Sequence, residues 1–282
     1  MGITGFVKRH PVATFFAITF IYTWALMSVL VVSTPPGGMQ AGISPSFLLL
    51  ALLGGVGPTL AGVIVTRGVE GKGSVRALFA RLQHWRVNIG WYAVVLLMVP
   101  LVRMATLAID RALGIPVPTL DHMAGLVALG MVWAPFAAFG EEFGWRGFLL
   151  PRLQSRHSAF VASCITGLAW GMWHLPMDFV GTGHYGLLFI PNFFVIHGIQ
   201  ITAIAILMTW VYNNTKGSML LMVLFHAGIT FSAVIFSTLT LSAMDSLWHN
   251  LISTALLWLI VAIVVARTGA RQLVREHKAW ER

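Results

Sequence analysis

Two adjacent glutamates, Glu141 and Glu142, and an arginine, Arg146, stand in the stretch Gly140-Glu141-Glu142-Phe143-Gly144-Trp145-Arg146-Gly147, within a long apolar run. A charged side chain at mid-bilayer costs roughly 3 kcal/mol on insertion scales, so residues of this kind mark a functional site by default. Glu142 and Arg146 are four apart and share a helix face, which lets the guanidinium offset the burial of that carboxylate. Glu141 is rotated by about 100° and can present its carboxylate to a different space. One acid then reads as structural and the other as free to act as a general base on water.

Histidines supply the second half of a hydrolytic site. His226 lies ten residues beyond Lys216 and Glu141 eleven before Arg152, which puts each on the order of 15 Å into the membrane at about 1.5 Å per residue. His174, sixteen residues beyond Ser158, lies somewhat deeper. Three separate helices thus bring a carboxylate or an imidazole to one level. His226 and Thr230 are four apart and can together donate hydrogen bonds to a developing oxyanion. His174 can orient the attacking water with Glu141. Alternatively, Glu141, His174 and His226 can ligate a divalent metal, since two histidines and one carboxylate make a common open zinc set. No HExxH stretch occurs, which excludes a zincin helix. His197 belongs to no motif and reads as a packing histidine.

The elements that must position these residues are membrane helices. The chain has 282 residues, 57% of them hydrophobic and 10% charged, with a mean hydropathy of +0.83, whereas a soluble domain carries about 25% charged residues. We expect an all-α polytopic protein, a single integral domain over 1–282, with eight spans. They run at about 11–32, 46–66, 89–108, from 123 to 152, 158–177, 187–212, 218–236 and 247–266. The core around the site is expected over about 123–236. Residues 67–88 read as a surface-lying amphipathic helix, with Leu78, Phe79, Leu82 and Trp85 beside five basic residues, and 267–282 as a basic tail.

Charge sets the orientation. The net charge of +9 reads as a membrane signature and not as a nucleic-acid surface: 15 of the 18 basic residues fall in the termini and the loops after spans 2, 4 and 6. Both termini are then cytoplasmic, in the plasma membrane of a prokaryote. The single cysteine, Cys164, excludes an intramolecular disulfide and a cysteine-based metal site. Oligomeric state is not legible.

Taken together, Glu141-Glu142-x-x-x-Arg146, then Trp170 four before His174, then Thr230 four after His226 resemble the motifs of the CPBP family. These are the type II CAAX prenyl endopeptidases and the bacteriocin-processing or self-immunity membrane proteins, also called the ABI family. The flanking Trp173-His174-Leu175-Pro176 and the turn Asn213-Asn214-Thr215-Lys216-Gly217-Ser218 add to the likeness, which covers about 139–230. The resemblance implies an intramembrane endopeptidase, often described as a metalloprotease, whose site opens to the cytosol and acts on a peptide or protein, lipidated or not. A glutamate-activated water without metal is the competing description. Two positions depart from the pattern: Trp170 stands where Phe is common, and Thr230 where Asn or an acid is common. A hydroxyl is a poorer metal ligand than either, which favours an oxyanion role there. A non-catalytic scaffold or immunity protein, and a proton-coupled transporter using the same residues as a relay, are the other readings.

Overall fold

The computed structural model describes residues 3–34, 45–117, 123–237 and 240–274. Among them every regular element is helical. A short α1 (Ile3–Arg9) leads into α2 (Pro11–Ser33), whose start is set by Pro11 in the first turn, where a missing N–H costs nothing. The second expected span is two helices, α3 (Pro45–Gly55) and α4 (Gly57–Glu70), broken at Val56 ahead of Pro58.

The expected amphipathic helix over 67–88 is much shorter. Gly71 and Gly73 sit at φ 84° and 94°, a backbone that a helix cannot continue through. Only α5 (Ser74–Ala80) and one 3-10 turn (Arg81–Gln83) follow. Leu78 plugs into the main core, and Arg81 reaches the Tyr212 hydroxyl and the carbonyls of Gly147 and Gly217. The segment is therefore pinned to the bundle.

Asn88 caps α6 (Ile89–Ala112) by accepting from the Gly90 amide at 2.8 Å. Then come α7 (Met123–Glu142), a π-helical turn (Phe143–Leu149) and α8 (Leu150–Gln154). The expected fifth span, 158–177, ends early: α9 (Ala159–Trp173) stops at His174 and α10 (Leu175–Thr182) restarts with Pro176 in its first turn. The sixth comprises α11 (Phe189–Phe193), a second π-helical turn (Phe194–Gln200) and α12 (Ile201–Asn214). Finally α13 (Met219–Ile235) and α14 (Ala243–Thr268) each start on a serine that accepts a backbone amide, Ser218 and Ser242.

Six helical stretches are long and apolar enough to cross a membrane: 11–33, 45–70, 89–112, 124–154, 175–214 and 243–268. The remaining two of the eight expected spans, α9 and α13, have 15 and 17 residues, or about 22 and 26 Å of helical rise. The chain is thus a polytopic all-α membrane protein in which length alone qualifies six spans among the described residues. The tail expected over 267–282 is described only to residue 274. There the backbone of Arg271 and Ala270 accepts the amides of Ala159 and Phe160.

α12 is the most buried helix, and the two short helices pack close to it. α13 packs along most of α7 and also against α6 and α12, while α9 packs on α12. Close approach at the π-helical turn depends on small residues: a Cβ on Gly144 would lie 2.2 Å from the Pro58 carbonyl oxygen, so α4 seats directly on this turn.

Candidate active site

The π-helical turn begins immediately after Glu142, so the acidic pair stands where α7 changes pitch. Such single-turn widenings recur at functional sites because they re-aim the side chains around them. Glu141, Glu142, Arg146 and His226 are each no more than 4% exposed. Arg146 Nη1 donates to Glu142 Oε1 at 2.8 Å, and its guanidinium lies 4.4 Å from the centre of the Trp170 ring, a cation–π contact strengthened by the dry surroundings.

Glu142 does more than hold Arg146. The same oxygen, Oε1, accepts from His226 Nδ1 at 2.7 Å, across 84 residues of sequence. This fixes the ring of His226 on α13 and turns its Nε2 toward Glu141 Oε1, 3.8 Å away. The other oxygen of Glu141 accepts the indole N–H of Trp170 at 2.6 Å. The expected pairing of Glu142 with Arg146 is present and extends into a network: Glu142 also orients the histidine, and Trp170 orients Glu141.

His174 closes α9. Its Nδ1 donates to the Trp170 carbonyl at 2.9 Å, leaving Nε2 as the free position of a neutral ring. Glu141, His174, His226 and Thr230 line one cavity of about 160 Å³, together with Thr23 and Met27 of α2, Leu52 of α3 and Trp133 of α7. All six residues expected at the site, Glu141, Glu142, Arg146, His174, His226 and Thr230, are thus in or immediately behind a single cavity.

Two neighbours of His174 are not singled out by spacing. His197, expected to be a packing histidine, stacks on His174 with ring centres 4.9 Å apart and planes 26° apart. Its Nε2 donates to Asp178 Oδ1 at 3.1 Å. Asp178 had been placed in a loop between spans. The π-helical turn 194–200 delivers His197, and it approaches so closely that a Cβ on Gly171 would overlap the His197 carbonyl. A buried ionisable side chain at membrane depth was the available signal.

Glu141, His174 and His226, the donor set expected for a metal, each keep one donor atom outside these hydrogen bonds: Glu141 Oε1 and the two Nε2 atoms. Among the described residues no group of three or more His, Cys, Asp or Glu side chains is arranged to hold an ion. The other atoms of the three side chains are held: His226 Nδ1 by Glu142, His174 Nδ1 by the Trp170 carbonyl, and Glu141 Oε2 by the Trp170 indole, which fixes both ring orientations and leaves each Nε2 open.

A second, almost wholly apolar cavity of about 400 Å³ adjoins the first and shares Trp133, Met177 and Thr230 with it. Phe47 and Leu48 near the start of α3, and Leu126 near the start of α7, form its far wall. It therefore leads toward the helix ends opposite Glu70 and Arg152, which pair with each other, and not toward the basic side.

Residues 123–232 match the family model described as type II CAAX prenyl endopeptidase Rce1-like. Over 278 residues the chain is 25% identical to CAAX prenyl protease 2 of Methanococcus maripaludis, covering 92% of this chain and 94% of that protein. The matched segment contains all of the hydrogen-bonded network around Glu141 and Glu142. In these residues and in this relative the chain is similar to the type II CAAX prenyl endopeptidases, and its apolar helices fit a membrane protease of that kind.

Proposed function

We propose that the chain hydrolyses a peptide bond of a membrane-associated substrate in the cavity between α2, α3, α7, α9 and α13. The observation that carries this reading is the approach of Glu141 Oε1 to His226 Nε2 at 3.8 Å, with both side chains on the wall of one cavity. Glu141 takes a proton from water, the hydroxide adds to the substrate carbonyl, and the proton passes to the leaving amine as the C–N bond breaks. The products are a carboxylic acid, which releases its proton to become a carboxylate, and an amine, and Glu141 is regenerated. A placed general base contributes roughly 10²–10⁴-fold.

His226 with a proton on each nitrogen donates Nδ1–H to Glu142 and Nε2–H to the oxyanion. The four side chains Glu141, Glu142, Arg146 and His226 then carry two negative and two positive charges, so the buried cluster is neutral as a unit. Thr230, one turn further on α13, is the second donor. The free Nε2 of His174 accepts from the attacking water, and the Asp178–His197 pair holds the His174 ring in place. No step in this sequence passes through a metal ion, so chelators should leave turnover unchanged.

The apolar cavity that continues from Trp133 and Thr230 suits the lipid or apolar segment of a substrate, and the relative's name points to prenylated CAAX proteins as its class. The bias of basic residues supports cytoplasmic termini in the plasma membrane of a prokaryote. In the test, purified wild type and Glu141→Gln are compared on one peptide with and without a prenyl group. Wild type cleaves, and Glu141→Gln, folded by its unchanged thermal transition, does not. Full turnover by Glu141→Gln removes the assignment. Inactivity of both proteins on every peptide favours a scaffold or immunity role.

A further inference from the structure

Helices α6 and α14 touch at one end and part at the other. At the end away from the basic side, His249 Nδ1 donates to Asp110 Oδ2 at 2.6 Å and Arg103 donates to His249 Nε2 at 3.3 Å. Asp110 and His249 are wholly buried, so this contact is a clamp. Toward the basic side the helices diverge around a groove of about 650 Å³, walled by Leu97 and Leu101 on one side and Ile260 and Ile263 on the other. Trp210 of α12 floors it, and the Trp91 and Trp210 rings meet edge to face at 4.8 Å, as aromatic residues do at the depth of the headgroups.

The mouth of the groove differs in chemistry from its walls. Arg267 and Thr268 line it, and Arg267 and the nearby Arg271 are exposed. None of the carboxylates among the described residues lies within ion-pair distance of Arg267, Arg271 or Lys216, the last of which follows groove residue Asn214 by two positions. From Trp91 to Leu101 the apolar wall takes in eleven residues, a rise of about 15 Å. An apolar slot of that depth left empty forfeits dispersion contacts along both walls, and water gains no hydrogen bonds there. An acyl chain meets both demands, and positive charge at the mouth that no carboxylate among the described residues offsets selects an anionic headgroup.

We propose that this groove is a binding site for one anionic phospholipid, its acyl chain lying between Leu97 and Ile263 and its phosphate at Arg267. The lipid wedges α6 against α14 on the side opposite the Asp110–His249 clamp, on the flank of the bundle away from Glu141.

The test titrates full-length protein in neutral detergent with phosphatidylglycerol and with phosphatidylcholine of identical acyl chains, read by native mass spectrometry. Phosphatidylglycerol should bind more tightly, and Arg267→Gln should weaken it roughly five-fold, the weight of one basic residue at an anionic surface. Arg76→Gln, an equal charge change at an exposed position of α5, should leave it unaltered. Leu97→Trp, which fills the slot without altering charge, should weaken both lipids. Equal affinity for the two lipids, equal losses in Arg76→Gln and Arg267→Gln, or undiminished binding by Leu97→Trp overturns the proposal. So does dimerisation of lipid-free protein that phosphatidylglycerol cannot reverse, which would assign the groove to a second copy. Where Leu97→Trp does not fold, thermal unfolding decides: phosphatidylglycerol must stabilise wild type more than it stabilises Arg267→Gln.

Discussion

Replacing Glu142 by Gln tests the logic of the whole cluster. The change keeps volume but removes the one charge that Arg146 and His226 share, both of which bond to Oε1 at 2.8 and 2.7 Å. Arg146 is fully buried, and its Nε and Nη2 have no hydrogen-bond partner, so it cannot turn to another acceptor without the helix moving. Breaking a buried pair on one side costs about 3–5 kcal/mol, a large part of the 5–15 kcal/mol that holds a typical domain together. Glu142→Gln should therefore lower thermal stability by that order and abolish peptide cleavage, since His226 loses its anchor. Removing both charges in Glu142→Gln/Arg146→Met should recover most of the stability and none of the activity. The measurements are thermal unfolding in detergent, analysed as a double-mutant cycle, beside turnover of one peptide. A Glu142→Gln protein within about 1 kcal/mol of wild type, or a strictly additive double mutant, would refute the reasoning, because a shared buried anion cannot behave as two independent contacts.

Other expectations are more local. Gly144→Ala drives a Cβ to 2.2 Å from the Pro58 carbonyl and should cost upwards of about 1–3 kcal/mol, visible as a lowered melting temperature; an unchanged one would show that α4 does not rest on the turn. Trp170→Phe keeps a ring under Arg146 but loses the N–H that holds Glu141 Oε2; turnover should fall further than stability, which loses about 1 kcal/mol. His197→Phe keeps the stack on His174 and leaves Asp178 without its partner, so stability should drop and Asp178→Asn in the same chain should restore part of it.

Much was legible in the sequence where the physics is local or one-dimensional. Apolar runs longer than about 20 residues have to cross a bilayer, and a carboxylate inside such a run has to do something. Spacing by four placed Arg146 on Glu142 and Thr230 beside His226 because helical pitch alone decides those contacts. Counting rise from the ends brought Glu141, His174 and His226 to one level without any knowledge of which helix packs on which.

Tertiary structure decided the rest, for reasons that spacing cannot carry. Which acid His226 would choose depends on how α13 seats on α7, and the answer was Glu142, 84 residues away. That His197 stacks on His174 depends on a π-helical turn and on Gly171 letting it approach. Which donor atoms of Glu141, His174 and His226 stay open follows from hydrogen bonds to Trp170 and Glu142 that hold the others. Sequence determined which residues are too expensive to be idle; packing determined which partner each of them holds, because a buried charge settles on the nearest group that neutralises it, and nearness across helices exists only in the folded bundle.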